Sequence, residues 1–370
     1  MKRRFSPETS VAFVCASLIV LGSSPAEAQV AGYVTGLVGI ESFSASSGVV
    51  LNTFYPGDIS GTIAASSNGA MLYSGAITGS GTLSTLFVLS SSTGEIVSQI
   101  PGLYSTPRKT ILDVTGTYAF VLCTGTPGKN SVTVVNLEKQ KAVGYVHVGG
   151  GSPVDIAMSP NGSKLFVSVQ PTSGIGGHLE EEIAAFSAPA TQGVYSCKPE
   201  GNSPSVCIFN TGPFGFANTV SGVAGDIAVS QDGTWLYAWN PGENTYLTAV
   251  NTESLAVSKI SLPKNNYVYG LAVAPSGDKA VVLAVDGLST SFLMLDTQTN
   301  ALAGSFSGTA PLAPAFGSNV VAFSPGGDSL WSLGECQVSC SLLVGQSFPS
   351  GNLISQTALD PSLDAFAITF

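Results

Sequence analysis

Three ionisable residues recur at one spacing. Lys109, Asp155 and Asp226 each stand seven residues ahead of a glycine, namely Gly116, Gly162 and Gly233. The same position ahead of Gly69, Gly277 and Gly327 holds Thr62, Gly270 and Val320, and in a degenerate seventh copy it holds Gln356. Brought to one place, Lys109, Asp155, Asp226 and Gln356 would bind a polar ligand, and Asp155 with Asp226 would suit a divalent metal cation. The plainer reading is a Lys–Asp ion pair beside capped turns. A second cluster, His178, Glu180 and Glu182, alternates along the chain and would share a face in an extended segment. A histidine with two carboxylates can hold a metal, but Gly174, Gly176 and Gly177 before it fit a solvated acidic loop better. Other chemistry is sparse. His147 and His178 are the two histidines, and His147 sits between Val146 and Val148 in a strand-like stretch. No G-x-S-x-G elbow, phosphate loop, His-Glu-x-x-His or Cys-x-x-Cys-His stands in the chain, so no catalytic residue is assigned.

The glycines that set this spacing belong to a repeated phrase. Ile156 to Val169 reads as apolar strand, Ser-Pro-Asn-Gly turn, apolar strand, and Ile227 to Tyr237 and Leu271 to Gly277 are close copies. Proline presets φ at such a turn, and glycine supplies the left-handed residue. From Gly69 the copies are 47, 46, 71, 44, 50 and 36 residues apart, the last step ending at Asp360-Pro361-Ser362-Leu363. Periods in this range fit four-stranded propeller blades. A second hairpin follows each phrase, as at Leu247 to Val257 and Phe292 to Leu302. The expectation is an all-β, seven-bladed β-propeller with four antiparallel strands (A to D, inside to outside) in each blade. The last blade is closed by N- and C-terminal strands: a C–D hairpin from Gly39 to Phe54 and an A–B hairpin from Ile354 to Phe370. Tyr33 to Gly36 suits strand B or strand C.

Composition sets the surroundings. Lys2, Arg3 and Arg4, an apolar run from Val11 to Gly22 and the small-x-small triplet Ala26-Glu27-Ala28 read as a signal peptide over residues 1–28. Residues 29–370 then form a single β-propeller domain, secreted or held in the periplasm or cell envelope. The apolar run is too short for a membrane span in the mature chain. A net charge of −10 without a basic patch argues against nucleic acid or anionic membrane as partner. In an oxidising compartment the close cysteines pair, Cys197–Cys207 and Cys336–Cys340, leaving Cys123 as a buried free thiol.

The anchor phrase and the Asp-Thr-x-Thr hairpins, as at Asp296 to Thr299, resemble the YVTN-type β-propeller repeats of exported and surface-layer proteins. These belong with the lactonase-like and quinoprotein-like seven-bladed propellers. Tyr33-Val34-Thr35-Gly36 departs from the naming tetrapeptide by glycine for asparagine. The resemblance implies the fold. Lactonase-like relatives use channel-facing arginine, histidine and carboxylates, whereas here Arg108 stands beside Lys109 and no strand A holds a histidine. The leading expectation is therefore a monomeric, non-catalytic exported propeller without cofactor. It would bind a partner protein, glycan or surface polymer through its D–A and B–C loops. The alternative is a lactonase-like hydrolase, metal-dependent through Asp155 and Asp226, that uses the central channel.

Overall fold

The computed structural model describes residues 31–36, 39–54, 62–78, 83–125, 130–148, 151–171, 194–197, 204–211, 214–223, 225–239, 246–264, 266–286, 289–308, 313–314, 320–336, 340–359 and 367–369. The proposed signal peptide and His178, Glu180 and Glu182 lie outside them. The described residues hold thirty strands and no helix. The first three strands are β1 (Ala31–Thr35), β2 (Ile40–Ser44) and β3 (Val50–Phe54). Blade 1 is β4 (Ala64–Ala65), β5 (Met71–Thr78), β6 (Leu83–Ser90) and β7 (Ile96–Leu103). Blade 2 is β8 (Thr106–Leu112), β9 (Tyr118–Thr124), β10 (Ser131–Asn136) and β11 (Lys141–Val148). Blade 3 holds β12 (Gly151–Met158) and β13 (Lys164–Pro171), then, after the short β14 (Val194–Cys197), β15 (Ser205–Thr211) and β16 (Phe214–Ser221). Blade 4 is β17 (Ile227–Val229), β18 (Trp235–Ala238), β19 (Tyr246–Asn251) and β20 (Val257–Ser261). Blade 5 is β21 (Tyr267–Val273), β22 (Lys279–Asp286), β23 (Ser289–Asp296) and β24 (Ala301–Ser307). In blade 6 a broken inner strand, β25 (Ala313–Pro314) and β26 (Val321–Phe323), pairs with β27 (Ser329–Cys336), followed by β28 (Cys340–Ser347) and β29 (Leu353–Ala358). The last strand, β30 (Ala367–Thr369), pairs with β1. Seven sheets result, as the repeat predicts.

The closing blade corrects the expected division. Its order is β30-β1-β2-β3, so the C-terminus supplies strand A alone and the N-terminus supplies B, C and D. Tyr33 to Thr35 lies in strand B, with Val34 opposite Ile368. Leu353–Ala358, read from sequence as part of an A–B hairpin, is instead the outer strand of blade 6. The Asp360-Pro361-Ser362-Leu363 stretch imitates an anchor turn, but the break between chain ends falls where an anchor turn would stand. Across this junction Trp331 of blade 6, fully buried, meets the Phe43 ring of the closing blade at 5.0 Å, and Thr357 donates to the Gly48 carbonyl at 2.9 Å.

One local device builds every anchor. Gly69, Gly116, Gly162, Gly233, Gly277 and Gly327 all adopt φ between +67° and +80°, a conformation that favours glycine. Each donates its N–H to the carbonyl three residues back, at 2.8–3.0 Å. In four blades the serine at that position caps the turn as well: Ser66, Ser159, Ser230 and Ser324 accept the N–H five residues on. The threonine of the second hairpin has its own task. Thr252 and Thr297 donate to the Gly233 and Gly277 carbonyls at 2.6 Å, tying the C–D turn to the A–B turn of the same blade.

The apolar core lies between blades rather than at the axis. Leu122 and Val132 of blade 2 pack with Leu165 and Val167 of blade 3, and Phe166 and Val206 of blade 3 with Leu236 and Val250 of blade 4. Successive inner strands are thus held side by side. Polar groups on one strand A can then reach the next.

Candidate functional site

Lys109, Asp155 and Asp226 come from the inner strands of blades 2 and 3 and from the turn just before the inner strand of blade 4. A β-bulge re-aims two of them. In β8 the pairing with β9 slips between Pro107 and Lys109, and in β12 the pairing with β13 slips between Pro153 and Asp155. Each bulge sits beside a proline, which has no N–H to give a ladder. A third bulge, between Val268 and Gly270, marks the same place in blade 5, where no side chain is offered.

The result is a buried network. Lys109 Nζ donates to Asp155 Oδ1 at 2.6 Å, and the two side chains are 10% and 1% exposed. The Ile156 N–H also donates to Oδ1, at 2.8 Å, and the Ile227 N–H donates to Oδ2 at 2.9 Å. Asp155 therefore links the inner strands of blades 2, 3 and 4. Ser168, on β13 opposite Asp155, accepts the Asp155 N–H at 3.1 Å and donates to the Gly225 carbonyl at 2.6 Å. On the other flank, Thr62 and Thr110 share a short hydroxyl–hydroxyl bond between blades 1 and 2.

The two carboxyls are unlike. Burial raises both. Lys109 and two backbone amides pull Asp155 back toward the ionised form. Asp226 is partly exposed and has no such donors; it also feels the negative charge of Asp155, offset only by Lys109 at longer range. Its carboxyl is held well above the ordinary range. Of the pair, Asp155 carries the charge and Asp226 holds the proton more tightly.

Gln356 does not join them. It is exposed on β29, the outermost strand of blade 6, opposite Val344, because the turn counted after it is not an anchor. The metal reading of Asp155 and Asp226 also meets an obstacle: both Asp155 oxygens already have donors, Oδ1 the Lys109 ammonium and Oδ2 the Ile227 N–H. Among the described residues no group of three or more His, Cys, Asp or Glu is placed to hold a metal. Arg108, the bulged residue of β8, is exposed and donates to Thr124 Oγ1 at 3.1 Å.

Ser168 escaped the sequence reading although a signal was there. Six residues after each anchor glycine stand Gly75, Leu122, Ser168, Trp239, Leu283 and Leu333. The one hydroxyl in that column lies across from Asp155. The long connection of blade 3 also held more than a loop. Its strand β14 adds to the outer edge of blade 2, parallel to β11, with Val148 opposite Cys197. Cys123 is free and buried, its thiol pushed up to about 11 by burial. The backbone of β27 and β28 sets Cys336 opposite Cys340.

No protein-family model matches the sequence, and neither does any curated protein. Solved structures do match. The periplasmic gluconolactonase PpgL of Pseudomonas aeruginosa is similar over 92% of this chain and 98% of its own, with TM-score 0.63 and 14% identity. A putative 6-phosphogluconolactonase from Bacteroides uniformis covers 92% of this chain and 99% of its own, with TM-score 0.62 and 12% identity. Hydrazine synthase of Kuenenia stuttgartiensis matches over 87% of this chain and 89% of its own, with TM-score 0.59 and 14% identity. These likenesses show the propeller fold, which lactonase-like proteins share. At such identity they carry no residue roles, and unlike chemistries stand among them.

Proposed function

We propose that the protein is an exported, lactonase-like hydrolase that opens a small cyclic ester at the D–A end of the channel, with Asp226 as its general base. One observation carries this reading. Two neighbouring carboxyls have unlike settings, one locked in an ion pair and the other partly exposed and held well above the ordinary carboxylate range by burial and by the charge of Asp155, which is how environments assign acid and base roles. In the proposed step the Asp226 carboxylate takes a proton from water as the water oxygen bonds to the lactone carbonyl carbon. The positive charge of Lys109 favours the negative charge that develops nearby. Collapse breaks the ring C–O bond, and Asp226 returns its proton to the departing oxygen, releasing a hydroxy acid.

This replaces the non-catalytic binder as the better-supported reading, with lactonase-like structures among the fold's neighbours. The periplasmic gluconolactonase is likewise consistent with residues 1–28 directing export of a single domain, residues 29–370. Export also fits Cys207 pairing with Cys197, and Cys336 with Cys340. The test is hydrolysis of a lactone panel by the purified mature protein. Turnover that survives chelator and falls at least 100-fold in Asp226→Asn is expected, on the scale of a general-base contribution, 10²–10⁴-fold. No turnover, or full activity in the variant, rejects the assignment.

A further inference from the structure

The backbone is pinned on both sides of Asp226, and both pins come from blade 3. The Gly225 carbonyl accepts from Ser168 Oγ at 2.6 Å, and the Ile227 N–H donates to Asp155 Oδ2 at 2.9 Å. The two pins are themselves joined, because Ser168 Oγ accepts the Asp155 N–H at 3.1 Å. Ser168 and Asp155 are 0% and 1% exposed, so water does not compete for these bonds. Gly225 has φ +98°, a conformation a side chain would oppose, and its carbonyl is thereby turned toward β13. None of the described donors holds the Asp226 carboxyl itself. Its place is set through its backbone.

We propose that Ser168 is a positioning residue that, together with Asp155, clamps the Gly225–Ile227 backbone and so fixes the Asp226 carboxyl at the inner end of blades 3 and 4. The catalytic consequence rests on the hydrolase reading above; the clamp does not. The charged groups that face Asp226 are Asp155 on β12 and Lys109 on β8. Freeing the Gly225 carbonyl would let the turn swing away from Asp155, and the carboxyl would gain water. Its proton affinity would then drop toward that of an ordinary aspartate.

Asp226 can be followed by carbon-13 NMR of the aspartate carboxyls in the full mature chain, its signal identified by loss in Asp226→Asn. Ser168→Ala is expected to move the Asp226 midpoint down by half a pH unit or more. Ser74→Ala is the control. Ser74 is an equally buried serine whose hydroxyl donates to the Thr62 carbonyl in blade 1, at 2.9 Å, so it loses a like bond without touching Asp226. An unchanged midpoint in Ser168→Ala, or equal shifts in both variants, overturns the clamp. Should Ser168→Ala fail to fold, amide exchange in the wild type decides: the Ile227 N–H must exchange as slowly as the amides of β13, and fast exchange rejects the proposal. With a lactone substrate, Ser168→Ala should lower kcat on the order of 10-fold, with KM little changed, as expected for a misplaced base. A wild type that opens no lactone removes the hydrolase reading while the titration still judges the clamp.

Discussion

Replacing Lys109 with methionine tests whether the buried pair has the role assigned to it. Methionine keeps the apolar stem and removes the ammonium, leaving the Asp155 carboxyl with two backbone amides at 2.8 and 2.9 Å and no counter-charge. Breaking a buried pair from one side costs roughly 3–5 kcal/mol. Protonation caps that cost. Loading a proton at pH 7 onto a carboxyl of ordinary affinity near 4 costs about 4 kcal/mol, three pH units at ~1.4 each. The sign with pH follows. In the variant, Asp155 has its folded-state pKa raised above the unfolded value, so the penalty is full above the folded value and fades as pH falls toward the ordinary range. At pH 5 the same reasoning leaves about 1.5 kcal/mol. Urea unfolding of wild type and Lys109→Met at both pH values measures the difference directly. Adding Asp155→Leu to Lys109→Met should recover most of the loss, since no buried charge remains. A cost under about 1 kcal/mol at pH 7, or one that is equal at pH 5, would refute the account.

Other expectations concern the same architecture. Because Asp226 is raised in the folded state, its contribution to stability is full at acid pH and is lost as pH rises through its folded value. Asp226→Asn should flatten that part of the stability–pH curve, and an unchanged curve would place the titration elsewhere. Gly69 and Gly94 share φ near +70°, but an added Cβ meets nothing at Gly69 and overlaps the Phe54 ring at Gly94. Alanine at Gly69 should therefore cost about 1–2 kcal/mol from backbone conformation alone, and at Gly94 a further 1–3 from overpacking. Equal midpoint shifts in urea would deny the Phe54 contact. Thiol titration of the mature, unreduced protein should find one thiol, Cys123, reactive only after denaturation; a count of three would break the proposed disulfide pairing.

How far the site was legible depends on what fixes the phase of each strand. Gly162 must take a left-handed conformation, and that locks the two strands beside it, so counting back seven residues finds Asp155 without knowing any contact. The same count finds Lys109 and Asp226. At Gln356 it failed because Asp360-Pro361-Ser362-Leu363 has turn chemistry but no anchor glycine, and strand A of the closing blade lies further on, at Ala367–Thr369. Chain ends carry no turn to count from, which is also why the three-and-one division of that blade could not be read. Strand β14 was hidden for another reason. Four residues added in parallel to an outer edge leave no run of alternating apolar residues in sequence; what selects them is the edge of β11, set by a different part of the chain.

The sequence count brought two carboxylates and a lysine together but could not rank them. Both aspartates occupy the same place in the repeat, and both precede an isoleucine. What separates them is a bulge. In β12 the extra residue, Val154, shifts Asp155 so that its carboxyl meets Lys109 on one side and the Ile227 amide on the other. In blade 4 the inner strand is shorter and begins only at Ile227, so Asp226 lies in the turn before it, where no ladder holds it. A difference of one residue in strand pairing thus turns one aspartate into an inter-blade fastener and leaves the other free to exchange a proton. It follows that exchanging the two settings, rather than the residues, is what would exchange their roles. Deleting Val154 should release Asp155 from Lys109 and lower the stability of the blade 2–3 junction in urea unfolding, whereas Asp226→Glu, in the turn outside the strand ladder, should leave it intact.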